Sequence, residues 1–261
     1  MIAMKANKSL ASNEEWQAWG KLDPLYAVAS IDERAKRGRN PWTQESFSEI
    51  GAIDWDFFRP NWEQYGLNRG TCVEIGCGAG RLTGQLAGHF QTVQALDVSS
   101  SMIEYARAHV PSNVSFHVTS GLNIPLPDNS ADAIFSTHVL QHLPGTAAVQ
   151  AYLREMYRVL SSDGTVMLHV PLIMWPGGPL RGIHRVVHTL KASVDRCRTQ
   201  LGRYAFRFAL KKTPPMHVIW CEISWLHRTL QQLGFEDIEI RVLLGRSKMA
   251  VQHPFVFARK M

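Results

Sequence analysis

From residue 71 onward, short apolar runs alternate with stretches in which apolar residues recur every three or four positions. The apolar runs predict strands, and the wider spacing predicts amphipathic helices. Strands are predicted at 71–75, 92–97, 113–119, 131–136 and 165–170, and helices at about 80–89, 102–109 and 146–160. Strands that alternate with helices are joined by right-handed crossovers and form a parallel sheet with helices on both faces. The pattern therefore predicts an α/β fold.

The alternation is interrupted after Pro171 and then resumes. Between 183 and 208 apolar residues recur at helical spacing, basic residues cover the opposite face, and Pro214-Pro215 ends the helix. A further helix is predicted at 222–233, followed by strands at 236–243 and 251–258. We therefore expect a Rossmann-like, seven-stranded, mostly parallel sheet, in which residues 172–215 form an inserted helical lid.

The first 70 residues differ from the rest by their aromatic content. Five of the eight tryptophans lie there, and turn signals occur at Asp23-Pro24, Asn40-Pro41 and Arg59-Pro60. Because aromatic rings need a surface to pack against, we expect short helices laid over a larger body. The predicted organisation is an aromatic-rich helical cap at 1–70 and one domain at 71–261 that contains the insertion.

Composition and charge narrow the class of protein. The net charge of the 261 residues is +6, and residues 172–215 hold nine Lys or Arg against one Asp, so the basic character is local. A protein that coats nucleic acid would be basic more evenly. No apolar run approaches the ~20 residues that span a bilayer, and the start lacks the apolar stretch of a signal peptide. We therefore expect a cytoplasmic protein that does not bind nucleic acid.

The four cysteines, at positions 72, 77, 197 and 221, have no paired C-x-x-C spacing. Structural zinc sites usually show that spacing, so we expect no metal.

Glycines at 76, 78 and 80 follow the first predicted strand of the α/β region. Glycine lets the backbone turn tightly and approach a ligand closely. A dinucleotide fingerprint would need a further glycine at Arg81, which argues against NAD and FAD. With Glu74 just before the turn, the spacing suits a ligand with a ribose and a short charged tail. Asp97, at the end of the second strand, can accept hydrogen bonds from both ribose hydroxyls, although a helix N-terminal role is the alternative.

Four segments together resemble the ordered motifs of the class I S-adenosylmethionine-dependent methyltransferases that act on small molecules. These segments are Glu74–Thr83, Leu96–Met102, Ile124–Asp132 and Glu155–Thr165. The resemblance covers residues 71–171 well and 216–261 loosely, and it scarcely covers the cap or the insertion. It implies S-adenosylmethionine as the cofactor and S-adenosylhomocysteine as the product.

The resemblance also assigns residues to the cofactor. Gly76, Gly78 and Gly80 would face the methionine moiety, Arg81 its carboxylate, Asp97 the ribose, and Val98 and Met102 the adenine. Glu74 and Ser136 are further candidates for cofactor binding. Where the family often has an acid that binds the adenine amino group, this chain has Ser120, Gly121 and Leu122. A serine hydroxyl or a backbone carbonyl would have to take over that contact.

Methyl transfer requires an acceptor aligned with the methyl group, and a base helps when the acceptor is a hydroxyl. His138 and His142 follow the fourth predicted strand and are the candidate bases, although His142 also suits a structural role. His169 ends the fifth strand and is expected in the core or in the pocket wall, more than as an acid or base. Tyr26 and Trp42 are candidates for the pocket roof, with plain packing as the alternative.

We expect O-methylation of a small molecule such as a natural product, a sugar or a lipid-like precursor. The alternatives are an N-methyltransferase, a membrane-surface enzyme acting on an isoprenoid or quinone, and a non-catalytic cofactor-binding partner. The basic insertion suits a lid for an anionic acceptor, a membrane-surface helix or a solvated face. Both a monomer and a homodimer fit the sequence.

Overall fold

A computed structural model describes residues 11–30, 34–173, 218–244 and 252–261. Its main element is a seven-stranded sheet with the strand order β3-β2-β1-β4-β5-β9-β8. The strands of this sheet are β1 (Thr71–Ile75), β2 (Thr92–Asp97), β3 (Val114–Val118), β4 (Ala131–Ser136), β5 (Leu160–His169), β8 (Phe235–Leu244) and β9 (Gln252–Lys260). The first five strands pair in parallel, and β9 runs antiparallel to both β5 and β8. The predicted mostly parallel α/β fold is confirmed.

Helices cover both faces of the sheet. They are α1 (Ala11–Leu22), α2 (Pro24–Val28), α3 (Gln44–Tyr65), α4 (Thr83–Ala87), α5 (Ser100–Arg107), α6 (Thr146–Val159) and α7 (Ile223–Leu233). Val73 and Ile75 of β1 pack with α6 and α7, whereas Cys72 packs on the other face with α3, α4 and α5. Successive residues of a strand point to opposite faces, which explains why β1 is apolar almost throughout.

The longest helix crosses a predicted turn. Helix α3 starts with a Thr43–Ser46 capping box, ends at Gly66 in the left-handed region, and contains Pro60 in its interior. The predicted break at Arg59-Pro60 and the prediction of only short helices in this region are therefore wrong. A proline removes one helical hydrogen bond, yet the buried rings of Trp55 and Trp62 on either side hold the helix to the sheet. Tertiary packing outweighs the local helix-breaking tendency here.

Helices α1 and α2 lie over the edge where β2, β3 and β4 end. Gly20 of α1 comes so close to α5 that a Cβ atom there would be 2.2 Å from Ser99 Oγ. Asn13 donates a hydrogen bond of 2.7 Å from Nδ2 to the carbonyl of Ser120, just after β3. The aromatic segment thus contributes one layer helix, α3, and two helices that cover the sheet edge. The division into a cap at 1–70 and a domain at 71–261 stays a prediction.

The predicted insertion is described only at its start. Residues 172 and 173 form a short strand, β6 (Leu172–Ile173), which pairs in parallel with β7 (Cys221–Glu222). Residues 174–217 lie outside the described part, and so does the predicted lid helix.

Two other boundaries differ from the prediction. Strand β5 begins at Leu160, directly after α6, and its pairing with β4 shifts register between Ala131 and Ala133. Helix α4 begins only at Thr83, because the glycine turn occupies the residues before it. Among the described helices, none combines the length and apolar character needed to cross a bilayer.

Candidate active site

The glycine turn after β1 has a backbone that only glycine adopts readily. Gly76 and Gly78 have φ angles of 76° and 53°, in the left-handed region. A Cβ atom at position 76 would be 2.1 Å from Val139 Cγ2, and one at position 78 would be 2.5 Å from Val28 Cγ2. The turn is therefore enclosed by side chains and leaves room only for backbone.

The turn holds the carboxylate of Asp97 in place. The backbone N–H of Gly78 donates to Asp97 Oδ2 at 2.9 Å, and the N–H of Ser99 donates to Oδ1 at 2.8 Å. Burial raises the pKa of Asp97, and these N–H groups oppose the rise. Each carboxylate oxygen keeps a further lone pair, so Asp97 is oriented and still able to accept hydrogen bonds from a ligand.

A cavity of about 540 Å³ opens beside this turn, a volume in the range of small-molecule sites. Ten of the predicted site residues line it: Glu74, Gly76, Gly78, Arg81, Asp97, Val98, Met102, Gly121, His138 and His142. They come from the ends of β1, β2, β3 and β4 and from the segments that follow these strands, at one edge of the sheet. Open α/β sheets bind their ligands at that edge.

Four predicted residues have other surroundings. Gly80 packs against α5, where a Cβ atom would be 3.1 Å from Ala106 Cβ. The buried hydroxyl of Ser136 donates to the Ile75 carbonyl at 3.1 Å and ties β4 to β1. The exposed hydroxyl of Ser120 donates to Asn123 Oδ1 at 2.6 Å, and Leu122 is half-buried. None of these four residues is among the described residues that line the cavity.

Glu74 is a buried carboxylic acid whose Oε2 has no hydrogen-bond partner among the described residues. Burial raises its pKa to about 7. An unsatisfied buried carboxylate oxygen costs free energy, which a cationic ligand group in the cavity would recover. The acid is therefore suited to an ammonium group.

Arg81 lies on the same wall, and its guanidinium pairs with Asp54 of α3. Burial lowers its pKa to about 10, so it stays charged at neutral pH. Its Nε has no hydrogen-bond partner within the described residues. Arg81 can therefore donate to an additional carboxylate, although Asp54 already takes part of its charge.

These groups match a nucleoside that carries an amino-acid tail. Asp97 suits the ribose hydroxyls, Glu74 suits the ammonium group, and Arg81 suits the carboxylate. The turn at Gly76 and Gly78 lets backbone without side chains approach the tail. The residues present therefore fit S-adenosylmethionine.

The edge of the cavity beyond Val98 and Met102 contains residues that the sequence reasoning did not identify. They are Asn13 and Trp16 of α1, Thr119 after β3, and Tyr152 of α6. Asn13 binds the carbonyl of Ser120 and approaches Gly121, where a Cβ atom would be 3.1 Å from its Oδ1. A polar amide therefore stands where the family often has an acid. No sequence spacing could have indicated Asn13, because it lies 107 residues before Ser120.

The predicted histidines separate into two groups. His138 has a φ of 58°, and its ring centroid is 4.3 Å from that of His169 and 5.5 Å from that of His253, a residue that the sequence reasoning missed. Burial lowers the pKa of His138 well below its usual value. His142 instead packs edge-on against Trp16 at 4.8 Å and contacts the Gln141 amide at 3.0 Å.

One of the two predicted roof residues reaches the cavity. Trp42 lines it and donates from Nε1 to the Ala29 carbonyl at 2.9 Å. Tyr26 packs against Trp19 at 5.6 Å and is not among the lining residues described.

Part of the chain is similar in sequence to known methyltransferases. Residues 73–168 match the family model described as a methyltransferase domain. Over 135 residues the chain is 30% identical to the malonyl-[acyl-carrier protein] O-methyltransferase of Hahella chejuensis, covering 47% of each chain. Over 102 residues it is 28% identical to the ajmaline N-methyltransferase of Rauvolfia serpentina, covering 37% of this chain and 34% of that one. The chain thus spans less than half the length of these curated relatives.

A similar fold is also found in a protein that is named for a different reaction. The solved structure of the [4+2]-cyclase SpnF superposes with a TM-score of 0.58 at 14% identity and covers 97% of both chains. At that identity the likeness concerns the fold alone. The matching domain contains the glycine turn, Asp97 and His138, which are the centre of the cavity. Over residues 73–168 the chain therefore matches a methyltransferase domain, and the similarity to these enzymes supports a class I S-adenosylmethionine-dependent methyltransferase, whose cofactor is S-adenosylmethionine.

Proposed function

We propose that the protein is an enzyme that transfers a methyl group from S-adenosylmethionine to a small molecule in this cavity. The observation that carries the proposal is the convergence of three groups on one 540 Å³ space: the unsatisfied carboxylate of Glu74, the oriented carboxylate of Asp97, and the glycine turn between them. The match of residues 73–168 to a methyltransferase domain supports the same activity.

When bound, S-adenosylmethionine supplies a methyl group on a positively charged sulfur. The protein's own residues have to hold both reactants in line and exclude water, which can lower the barrier by several kcal/mol. Asp97 and Glu74 anchor the two ends of the ligand, and Val28 of α2 covers the glycine turn from outside. Helices α1 and α2 therefore close the site over the sheet edge.

The remaining wall of the cavity would receive the acceptor. It is mainly apolar and aromatic, with Trp16, Trp42, Ile50 and Val218 among its residues. Arg81 is the single Lys or Arg in the described part of the wall, and it is paired with Asp54. This composition favours a largely apolar acceptor, such as a natural product or a lipid-like precursor, over a polyanion.

We propose O-methylation as the reaction, with His138 and His142 as the side chains that contact the acceptor. A neutral imidazole beside a hydroxyl acceptor would take the hydroxyl proton when the acceptor oxygen receives the methyl group that the cofactor supplies. N-methylation is the alternative that needs no such base, because an uncharged amine already has a free lone pair. The relatives include both kinds of enzyme.

A second candidate function is chemistry or binding in the same cavity without methyl transfer. The observation that favours it is the full-length likeness of fold to the cyclase SpnF. A mostly apolar cavity beside a nucleoside site would serve such a role equally well.

Cellular context is part of the proposal. Cys72, Cys77 and Cys221 are free thiols and all three are buried, which agrees with a reducing, cytoplasmic location. The roles considered for residues 172–215, a lid, a membrane-surface helix or a solvated face, stay predictions. So does the choice between a monomer and a homodimer.

Calorimetric titration with S-adenosylhomocysteine tests the cofactor site. We expect micromolar binding to the parent protein and at least a tenfold loss in Asp97→Ala. Asp56→Ala removes a carboxylate from the exposed side of α3 and serves as the matched control, with unchanged affinity. Absence of binding to the parent, or equal binding by Asp97→Ala, would contradict the assignment of the cavity.

A further inference from the structure

Three histidines come together beside the cavity from neighbouring strands. His138 follows β4, His169 ends β5, and His253 lies near the start of β9. Because β9 runs antiparallel to β5, its first residues reach the same edge at which β4 and β5 end. One ligand nitrogen from each ring lies within 4.8 Å of the other two.

We propose that these three imidazoles form a binding site for a single divalent transition-metal ion, with zinc as the ion that fits the donor set best. Three nitrogen donors without a carboxylate suit zinc, copper or nickel, and do not suit magnesium or calcium, which prefer oxygen ligands. Zinc sites that act on substrates commonly have three protein ligands and one open position.

The spacing of the rings is close to that of a metal site. Nitrogens bound to one tetrahedral zinc at about 2.0–2.1 Å lie roughly 3.4 Å from one another. Three nitrogens that lie within 4.8 Å of one another reach that spacing when each moves inward by about 0.8 Å.

Two of the three rings each contain a buried nitrogen without a hydrogen-bond partner among the described residues. The Nδ1 atoms of His169 and His253 are buried and have no hydrogen-bond partner among the described residues, and His169 is only 4% exposed. Buried polar atoms normally have a partner, so these atoms indicate a missing ligand.

The positive charge of Arg81 near the histidine cluster is offset by the carboxylate of Asp54. Arg81 is the cation that acts on His138 and His253, and Asp54 pairs with its guanidinium. The carboxylate therefore offsets much of the repulsion that Arg81 would exert on a metal ion.

The open position of the ion would face the proposed acceptor space, because His138 and His253 both line the cavity. A metal ligand and a proton acceptor use the same lone pair of a neutral imidazole. Bound metal would therefore exclude His138 as the base. The metal site itself does not depend on methyl transfer, and only its contact with an acceptor rests on the proposed function.

The test is zinc binding by the full chain without an affinity tag and after dialysis against a chelator. Zinc is titrated in competition with a chromophoric chelator, in the absence of cofactor. We expect one zinc per chain, and a loss of affinity of at least 100-fold in His169→Asn and in His253→Gln. His117→Gln, on β3 at the far side of the sheet, is the matched control and should bind zinc like the parent.

Should the histidine variants fail to fold, X-ray absorption on the zinc-loaded parent replaces them. Three imidazole nitrogens in the first coordination sphere would support the site. Binding of less than about 0.2 zinc per chain, unchanged affinity in folded variants, or a sphere with fewer than three imidazoles would overturn it. S-adenosylhomocysteine binding by the metal-free protein, measured separately, keeps a failure of the metal site distinct from a failure of the cofactor site.

Discussion

Val28 lies directly over Gly78, so that Val28 Cγ2 would be 2.5 Å from a Cβ atom at that position. Gly78 is also the residue whose N–H holds Asp97 at 2.9 Å. Helix α2, the glycine turn and Asp97 are thus in continuous contact. We therefore predict that the helices over the sheet edge contribute to the cofactor site.

This contact predicts that Gly78→Ala weakens S-adenosylhomocysteine binding by at least tenfold. The alanine would have to adopt a φ of 53° and would collide with Val28, so the turn and the N–H that orients Asp97 would shift. The double variant with Val28→Ala should recover part of the affinity, because it removes the collision and leaves the backbone strain. Calorimetry checks both. Wild-type affinity in Gly78→Ala would show that the turn does not touch the ligand.

Gly51 allows α3 to approach the segment after the glycine turn. A Cβ atom at this position would be 2.2 Å from the carbonyl oxygen of Arg81. Gly51→Ala should lower the free energy of unfolding by about 1–3 kcal/mol, because the backbone of one element must move away from the other. Urea unfolding followed by circular dichroism measures this effect.

Gly84→Ala is the matched control for Gly51→Ala. A Cβ atom at position 84 meets nothing within 4 Å, and alanine favours a helix over glycine by up to ~1 kcal/mol. We therefore expect an unchanged or slightly higher stability. Equal losses in the two variants would mean that helix propensity, and not the close approach of α3, determines the result.

Because Glu74 lines the cavity and has a raised pKa, we expect the affinity for the cofactor to depend on pH. Burial raises its pKa to about 7, so the free protein holds this proton at pH 6, whereas an ammonium ligand favours the ionised form. Binding then releases a proton, and affinity for S-adenosylhomocysteine should rise roughly tenfold from pH 6 to pH 7.5. Titrations in two buffers with different ionisation enthalpies should show the released proton. Glu74→Gln should bind weakly with a flat profile over this range, and a profile like that of the parent would remove Glu74 from the ligand contacts.

Glu74 also makes the free energy of unfolding depend on pH. Its contribution falls as the pH rises, whereas the contribution of a carboxyl group with a lowered pKa increases. The unfolded chain ionises Glu74 near pH 4.5, and the folded protein does so near 7. Its contribution is therefore fully favourable below pH 4.5 and is lost as the pH rises to 7, a change of roughly 3 kcal/mol. Thermal unfolding of Glu74→Gln without ligand should show a smaller loss of stability over this interval than the parent does.

Trp62 joins α3 to the centre of the sheet by a buried hydrogen bond. Its Nε1 donates to Thr165 Oγ1 at 3.0 Å, and both side chains are fully buried. Trp62→Phe should cost about 1–3 kcal/mol, because the smaller ring leaves space and the threonine hydroxyl loses its partner. A double-mutant cycle with Thr165→Val should give a coupling energy near 1 kcal/mol. No coupling would show that the hydrogen bond is not formed in solution.

The sequence predicted best those elements that depend on local pattern. The bounds of β1, β2 and β4 agree with the prediction, because each strand is an apolar run that is buried in the sheet and flanked by turn residues. Glycine spacing predicted the turn beside the cavity, and a place at a strand end predicted that Asp97 lies there too, whereas their binding of a ligand stays a prediction. Both features are determined by neighbouring residues in the chain.

Features that depend on distant contacts were missed. Pro60 lies inside a helix because rings of Trp55 and Trp62 pack on strands far along the chain, and local breaking rules do not include that energy. Asn13 and His253 reach the cavity from the two ends of the chain. Their positions follow from the packing of α1 over the sheet edge and from the antiparallel course of β9, which no motif spacing encodes.

The most direct test of the account is methyl transfer itself. The protein is incubated with methyl-labelled S-adenosylmethionine and a panel of small hydroxyl, carboxyl and amine compounds, and label in the small-molecule products is measured beside Asp97→Ala and Asp56→Ala. We predict labelled product with the parent and with Asp56→Ala, at least tenfold less with Asp97→Ala, and hydroxyl or carboxyl compounds as acceptors. Tight binding of the cofactor, with no label moved to any compound by the parent, would contradict the account and favour a role of the cavity without methyl transfer.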